Sequence, residues 1–407
     1  MALLACTSRW FPASRLAMAL ASSGFRVEAV CPSRHSLPKL RCVSKTYGHY
    51  GFSPIASFEA AIRASAPDVV VPCDDVAVRC LHQLYERAHS RRVDSPICEL
   101  IERSLGSPES FAILYQRAAF LQAAREQGIR VPATQVVTNW SALESFVRST
   151  GLPLVLKADS TSGGEGVRIV KTLEEARRAF HSLSSPPLLA RAIKRALIDQ
   201  DLSLVAQSFC RRRATVSAQT FVRGHEATST VVCWKGEVLA ALHFEVINKS
   251  SSTGHSTVLR LIENAEMSAA AAKIARRLGL SGMNGFDFIL EAETGNPYLI
   301  EINARATQVG HLTLGPTRDL PAMLFASVTG EPAHESSKLT DNAVIALFPQ
   351  EWRRDPSSPY LCSAYHDVPW DDPELLSACV GHRRKQWTWY AEKEALRGLA
   401  PVRAPRC

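Results

Sequence analysis

The chain has 407 residues, of which 46% are hydrophobic and 21% charged, and a formal net charge of +8. That length suits two or three domains, and the composition excludes a collagen, a coiled-coil rod and wholesale disorder. No apolar run approaches the roughly 20 residues needed to cross a bilayer.

The charge is uneven, with seven Arg or Lys against two Glu in residues 381–407. A basic tail can attract nucleic acid or membrane. No zinc-finger or stacked-aromatic pattern accompanies it, so it reads as a solvated end with no specific nucleic-acid or membrane partner. Trp387, Trp389 and Tyr390 are expected to pack a terminal helix onto the body. Eleven cysteines, none in a CxxC pair, read as reduced thiols. Leu4-Ala5-Cys6 superficially resembles the end of a lipoprotein signal, but it lacks a basic start and a long apolar run. Ala2–Cys6 is therefore read as a buried strand and the protein as cytoplasmic. Oligomeric state is not legible.

The first third alternates short apolar runs with helical patterns. Strands are expected at Ala2–Cys6, Arg26–Val30 and Asp68–Pro72, and helices at Ala13–Ser23, Ser57–Ser65 and Val76–Ala88. Such alternation implies a parallel sheet with both faces covered. No GxGxxG follows the first strand, so a dinucleotide site is not expected there. A helix is predicted from Ser107-Pro108 to about Gln127, closed by Gly128. Val131–Val137 and Leu152–Ala158 read as strands around a helix at Ser141–Ser149. A glycine-rich loop, Ser160–Gly166, leads into strand Val167–Val170 and helix Leu173–Leu183. A helical stretch from Pro187 precedes strands at Ser217–Val222, Thr228–Trp234 and Val238–Val246. Helix Ala265–Leu278 is followed by strands Phe286–Leu290 and Tyr298–Asn303, joined by a turn at Thr294–Pro297. Asn342–Phe348 reads as a strand and Asp355–Tyr360 as a turn.

Three pieces carry chemistry. Lys157 ends a strand directly before the loop Ser160-Thr161-Ser162-Gly163-Gly164-Glu165-Gly166. Glycines let backbone N–H groups approach phosphate oxygens, and a lysine adds a point charge. Alone, the pattern serves equally as a turn between strands. It is neither a Walker A sequence nor a dinucleotide fingerprint. Next, Glu301 and Asn303 share one face of their strand, and the turn folds Asp287 almost opposite them. Three hard oxygen donors then converge, which suits Mg²⁺. A solvated hairpin face is the bland alternative, but Phe286, Phe288, Leu299, Ile300 and Ile302 argue that the hairpin is buried on one side. Uncompensated carboxylates there are costly, and Arg305 adds a fixed positive charge. The third piece, Gln219–Glu226, is a strand ending in a short linker, by itself no motif.

Together, and in this order, the pieces resemble the ATP-grasp superfamily from about Leu105 to about His311. The hairpin Phe286–Leu290 with Tyr298–Arg305 carries the most specific likeness. It is similar to the two-metal hairpin of carbamoyl-phosphate synthetase, biotin carboxylase and D-alanine–D-alanine ligase. The resemblance implies an α/β (α+β ATP-grasp) fold. An N-terminal Rossmann-like parallel-sheet lobe, 1–95, would precede an ATP-grasp domain, 96–330. That domain would clamp ATP between a Gly-rich-loop subdomain (about 130–225) and a metal-hairpin subdomain (about 226–330), with 331–407 a C-terminal extension.

By the same resemblance, Asp287, Glu301 and Asn303 would hold Mg²⁺ or Mn²⁺. Arg305 would face the transferred phosphoryl group. Lys157 would sit on the α- and β-phosphates under Ser162, Gly163, Gly164 and Gly166, and Arg305 and Lys157 are the implied catalytic residues. Arg117 matches a basic residue used on ATP. Thr220, Phe221 and Val222 would line adenine, with Glu226 on ribose. Two positions depart from the pattern: Gln219 stands where many members have Glu, and Arg117 where many have Lys.

The implied activity is ADP-forming carbon–nitrogen ligation. A small-molecule carboxylate would be phosphorylated, then attacked by an amine or similar nucleophile. A non-catalytic ATP-binding module and a phosphotransferase to a non-carboxylate acceptor stand as alternatives. Glu245–Arg260 lies where the family faces its second substrate. Lys249, His255 and Arg260 there read equally as carboxylate ligands or as incidental charges on a mobile loop, and Ser250–Gly254 is composed like a lid. His243 and His311 read as packing residues.

Overall fold

Strands β1 (Ala2–Ala5), β2 (Val27–Cys31) and β4 (Val69–Pro72) are buried along their whole length. Strands apolar on both faces need cover on both faces, and that requirement organises the first lobe. In the computed structural model, which describes residues 1–91, 95–159, 166–185, 214–252, 254–315, 317–333 and 337–380, they form a parallel sheet of order β3-β2-β1-β4. Helices α2 (Pro54–Ser65), α3 (Asp75–Arg91) and α4 (Ser95–Leu105) cover one face. Helix α1 (Pro12–Ser22) and later parts of the chain cover the other. Edge strand β3 (Val43–Gly48) is largely exposed and polar, so no apolar run announces it. Helix α4 was likewise not anticipated.

The helix expected from Pro108 to Gln127 is a correction. Two short 3₁₀ turns, Pro108–Ser110 and Ile113–Tyr115, precede a ten-residue helix, α5 (Arg117–Glu126). Aromatic anchoring bends the segment: Phe111 stacks on His82 of α3 at 3.6 Å, and the Tyr115 hydroxyl bonds His82 Nδ1. Gln116 is then extended (φ −108°, ψ 94°), and the helix starts at Arg117.

A small antiparallel sheet follows, of order β5-β8-β6-β7. It comprises β5 (Thr134–Val137), β6 (Leu154–Ala158), β7 (Val167–Val170) and β8 (Val216–Thr220). Helices α6 (Trp140–Thr150) and α7 (Leu173–Ser184) pack on one face, against Leu154, Leu156 and Ala158. Side-chain alternation puts Lys157 on the other face.

The largest sheet has seven strands, ordered β13-β12-β9-β10-β11-β14-β15. They are β9 (Gly224–Trp234), β10 (Glu237–Lys249), β11 (Ser256–Ile262), β12 (Gly282–Glu291), β13 (Pro297–Asn303), β14 (Val344–Leu347) and β15 (Tyr365–Asp367). One face packs on α5 and α8 (Ala265–Leu278) through Phe286, Phe288 and Leu299. The other meets the first lobe and α9 (Leu320–Thr329) in one continuous core that includes Leu4, Leu16, Leu242, Phe244 and Leu324. Residues read as a C-terminal extension thus supply two strands, β14 and β15, to this sheet. The predicted helical stretch from Pro187 and the basic tail lie outside the described residues.

The segment composed like a lid, Ser250–Gly254, lies between two strands. Strand β10 continues to Lys249 and β11 begins at Ser256, so Glu245–Arg260 is mostly an antiparallel hairpin. Leu259 is fully buried and Val246 and Leu261 pack on the same core.

Gly106 marks the docking of the first lobe on the large sheet. It forms a bridge with Leu280, has φ +101°, and a Cβ there would lie 2.2 Å from the Gly279 carbonyl oxygen. Gly106→Ala is expected to lower the unfolding free energy by about 2 kcal/mol or more. Guanidinium denaturation checks this, and an unchanged midpoint would contradict the close approach.

Candidate functional site

The site is assembled from three places in the chain. On the large sheet, Asp287 of β12 and Glu301 of β13 are register partners, and Asn303 lies opposite Gly285. The turn that brings them together is closed by the Gly295 N–H on the Glu291 carbonyl at 2.8 Å, with Gly295 at φ +71°. Phe286 and Phe288 turn the opposite way, into the core under α8. The Asn303 amide donates to Asp287 Oδ2 at 2.9 Å. Burial, then the nearby Glu301 charge, pushes the Asp287 carboxyl up to about 6, against hydrogen bonds from Thr228 and Asn303 that favour the ionised form.

Lys157 faces this pair from the small sheet. It is 5% exposed. Its ammonium makes no hydrogen bond or ion pair among the described residues. Desolvation pushes it down to about 8, partly offset by Glu301, Asp287 and Glu226. An ammonium so buried is a place for an anion. Of the glycine-rich loop beside it, Ser162, Gly163 and Gly164 lie outside the described residues. Gly166 accepts from the Ala158 N–H at 2.9 Å.

Arg117, at the first turn of α5, reaches between the two sheets. Its Nη2 pairs with Glu301 Oε1 at 2.7 Å, and its Nη1 lies 3.6 Å from Asp159 Oδ1. Its Nε is buried and has no hydrogen-bond partner among the described residues. Asp159, two residues after Lys157, is pushed up by burial, against the Arg117 charge. Arg305 completes the group: its Nη2 donates to Asn303 Oδ1 at 3.1 Å and its Nε to Asp75 Oδ1 at 2.9 Å.

The remaining expected residues divide. Thr220, Phe221 and Val222 form the link from the small sheet to the large one, and Phe221 is exposed. Glu226 of β9 is held by Lys249 Nζ at 2.6 Å, on the Asp287 face. Arg260 pairs with Glu245 on the opposite face of the large sheet, away from Asp287. His255 hydrogen-bonds Ser250 at the hairpin tip. His243 is held between Ser229 and Ser268, and His311 pairs with buried Asp367. Asp75, Asp159 and Thr228 escaped the sequence reading. Asp159 had a signal: it shares the strand parity of Lys157.

The donor chemistry fits a magnesium nucleotide. Two carboxylates and an amide oxygen on one sheet face are hard ligands of the kind Mg²⁺ takes. Arg117 offsets the Glu301 charge, while burial still holds the Asp287 carboxyl up and the Lys157 ammonium down.

Residues 117–309 match the ATP-grasp domain family. Pyruvate carboxylase 1 of Caenorhabditis elegans is 29% identical over 208 residues, 50% of this chain and 16% of the relative. The arginine-specific carbamoyl phosphate synthase large chain of Geobacillus stearothermophilus is 26% identical over 292 residues, 68% of this chain and 26% of the relative. The chain thus spans 16% and 26% of the length of these two relatives. The biotin carboxylase domain of Hydrogenobacter thermophilus 2-oxoglutarate carboxylase shares the fold, with TM-score 0.58 and 14% identity, over 82% of this chain and 71% of that one. The mixed α/β architecture with a parallel-sheet N-terminal lobe is that of these neighbours.

The Asp287 shift has a sign that can be tested. A carboxyl raised to about 6 is unfavourable above that pH and is relieved as pH falls from 6 toward 3.8. Lys157, lowered to about 8, is unfavourable below 8 and relieved as pH rises toward 10.5. Asp287→Asn is therefore expected to stabilise the ligand-free protein at pH 7 by roughly 1–2 kcal/mol. The gain should vanish near pH 4 in thermal unfolding. Destabilisation at pH 7 would contradict the reading of an uncompensated carboxylate.

Proposed function

Residues 117–309 form an ATP-grasp domain, and from that premise we propose that the chain is an ATP- and Mg-dependent ligase. It activates a carboxylate as an acyl phosphate for attack by an amine or similar nucleophile, releasing ADP and phosphate. The observation that carries this reading is the convergence of Asp287, Glu301 and Asn303 on one face, with the buried Lys157 ammonium, unpaired among the described residues, opposite. The Hydrogenobacter biotin carboxylase domain, described with MgADP and bicarbonate, supports it.

In this reading Asp287, Glu301 and Asn303 hold Mg²⁺. Bound there, the ion neutralises phosphate charge and lowers the cost of charge that develops on the transferred group. Lys157 binds the α- and β-phosphates beside the loop 160–166. Arg305 faces the transferred phosphoryl group. The Thr220–Val222 link lines adenine, and Glu226, steadied by Lys249, takes the ribose. Arg117 serves ATP too, so its hold on Glu301 competes with nucleotide. Phosphoryl transfer of this kind needs positioning and fixed charge more than a covalent nucleophile.

Purified protein with ATP, Mg²⁺ and pools of carboxylates and amines should release ADP only when both pools are present. Tight ATP binding with no ADP under any pool would point to a module without turnover. ADP with a single hydroxyl acceptor would point to a phosphotransferase. Glu301→Gln is expected to cut ADP release by about 10²-fold or more while circular dichroism stays native. Wild-type turnover in that variant would remove Glu301 from the metal site.

A further inference from the structure

Asp75 lies far from the ATP-grasp domain in sequence, in the first turn of α3. It follows β4 at the carboxyl edge of the parallel sheet. The strand order β3-β2-β1-β4 reverses between β1 and β4, so this edge is the switch point of the first lobe. Two adjacent acids sit there with different duties. Asp74 is consumed locally: its carboxylate accepts from the Thr7, Ser8 and Ala77 N–H groups. Asp75 reaches outward to Arg305 Nε at 2.9 Å.

The contact is one of four that fix Arg305 from the first lobe and from the hairpin. The Arg305 guanidinium carbon lies 5.9 Å above the ring of Trp10. Its Nη1 donates to the Ala306 carbonyl and its Nη2 to Asn303 Oδ1. The next residue, Ala306, donates its N–H to the carbonyl of Pro72, the last residue of β4. A hydrogen-bonded series therefore runs Asp75, Arg305, Asn303, Asp287, from one lobe into the oxygen donors of the other.

We propose that Asp75 is a positioning residue that holds the Arg305 guanidinium toward the terminal phosphate of bound nucleotide. This inference rests on the proposed role of Arg305. Asp75 touches no reacting atom. It fixes Nε, so the direction of the planar fork is set before nucleotide arrives. The first lobe then has a task in nucleotide recognition, besides whatever it offers a second substrate.

The test is calorimetric and needs no knowledge of the acceptor. Mg²⁺ with a non-hydrolysable ATP analogue bearing an imido β–γ bridge is titrated into the full chain, and Mg·ADP in parallel. Asp75→Ala and Arg305→Ala are each expected to weaken the analogue about tenfold and leave Mg·ADP within twofold. The double variant should bind no more weakly than Arg305→Ala alone, because Asp75 acts through that arginine. Asp75→Asn keeps an acceptor and removes the charge. It should show the same selectivity with a smaller loss, and it stands in if the alanine variant does not fold. Analogue binding in Asp75→Ala and Asp75→Asn equal to wild type overturns the proposal, as does a loss that adds in full to that of Arg305→Ala. Failure of the wild type to bind either nucleotide overturns the nucleotide reading itself, and this inference with it.

Discussion

Asp287 and Glu301 face each other across adjacent strands, and a folded protein has no reason of its own to put two carboxylates there. Their strands are committed by the other face, where Phe286, Phe288 and Leu299 are buried under α8. A register irregularity at Ile300 sets Leu299 opposite Phe288 and Glu301 opposite Asp287, so the hairpin that buries the apolar side chains also brings the two acids together on its other face. The electrostatic cost remains in the ligand-free molecule as a carboxyl that resists ionisation. It remains again, with opposite sign, as the desolvated ammonium of Lys157. These are two halves of one unfinished charge pattern.

Both guanidinium groups of the site have taken up part of that pattern. Arg117 sits on Glu301, and Arg305 sits on Asp75 while touching Asn303. Each arginine joins separate parts of the fold, and beside Arg305 the Ala306 N–H on the Pro72 carbonyl makes the same junction through the backbone. Arg117 belongs to α5 and reaches both the small sheet, through Asp159, and the large one. Arg305 follows β13 and reaches the first lobe. The three layers thus meet at charged side chains, with the continuous apolar core lying behind them. Such an arrangement trades stability for a preformed electrostatic site.

Much of this was legible in the sequence because it rests on local periodicity. The alternation of Phe286 and Phe288 with Asp287, and the Gly295 turn, fixed the hairpin and its acids. Apolar runs such as Val69–Pro72 located the buried strands. What the sequence hid depends on tertiary contact. Strand β3 is a polar edge, so it lacks the pattern that marks its neighbours. The bend at Gln116 follows from Phe111 and Tyr115 anchoring on His82, a partner about thirty residues away. Ser/Thr/Gly composition around residue 252 gave no sign that the flanking Val246, Leu259 and Leu261 hold the rest of Glu245–Arg260 in a hairpin. Asp75 carried no local signal at all, since its partner lies in another lobe.

In the proposed function the acids of the hairpin and the ammonium of Lys157 enclose one magnesium nucleotide. The most direct measurement is a calorimetric titration of ATP into the wild-type chain and Lys157→Ala, each with Mg²⁺ and with a chelator. Binding is expected to need Mg²⁺ in the wild type and to weaken at least about tenfold in the variant. ATP binding indifferent to both the metal and Lys157 would contradict it.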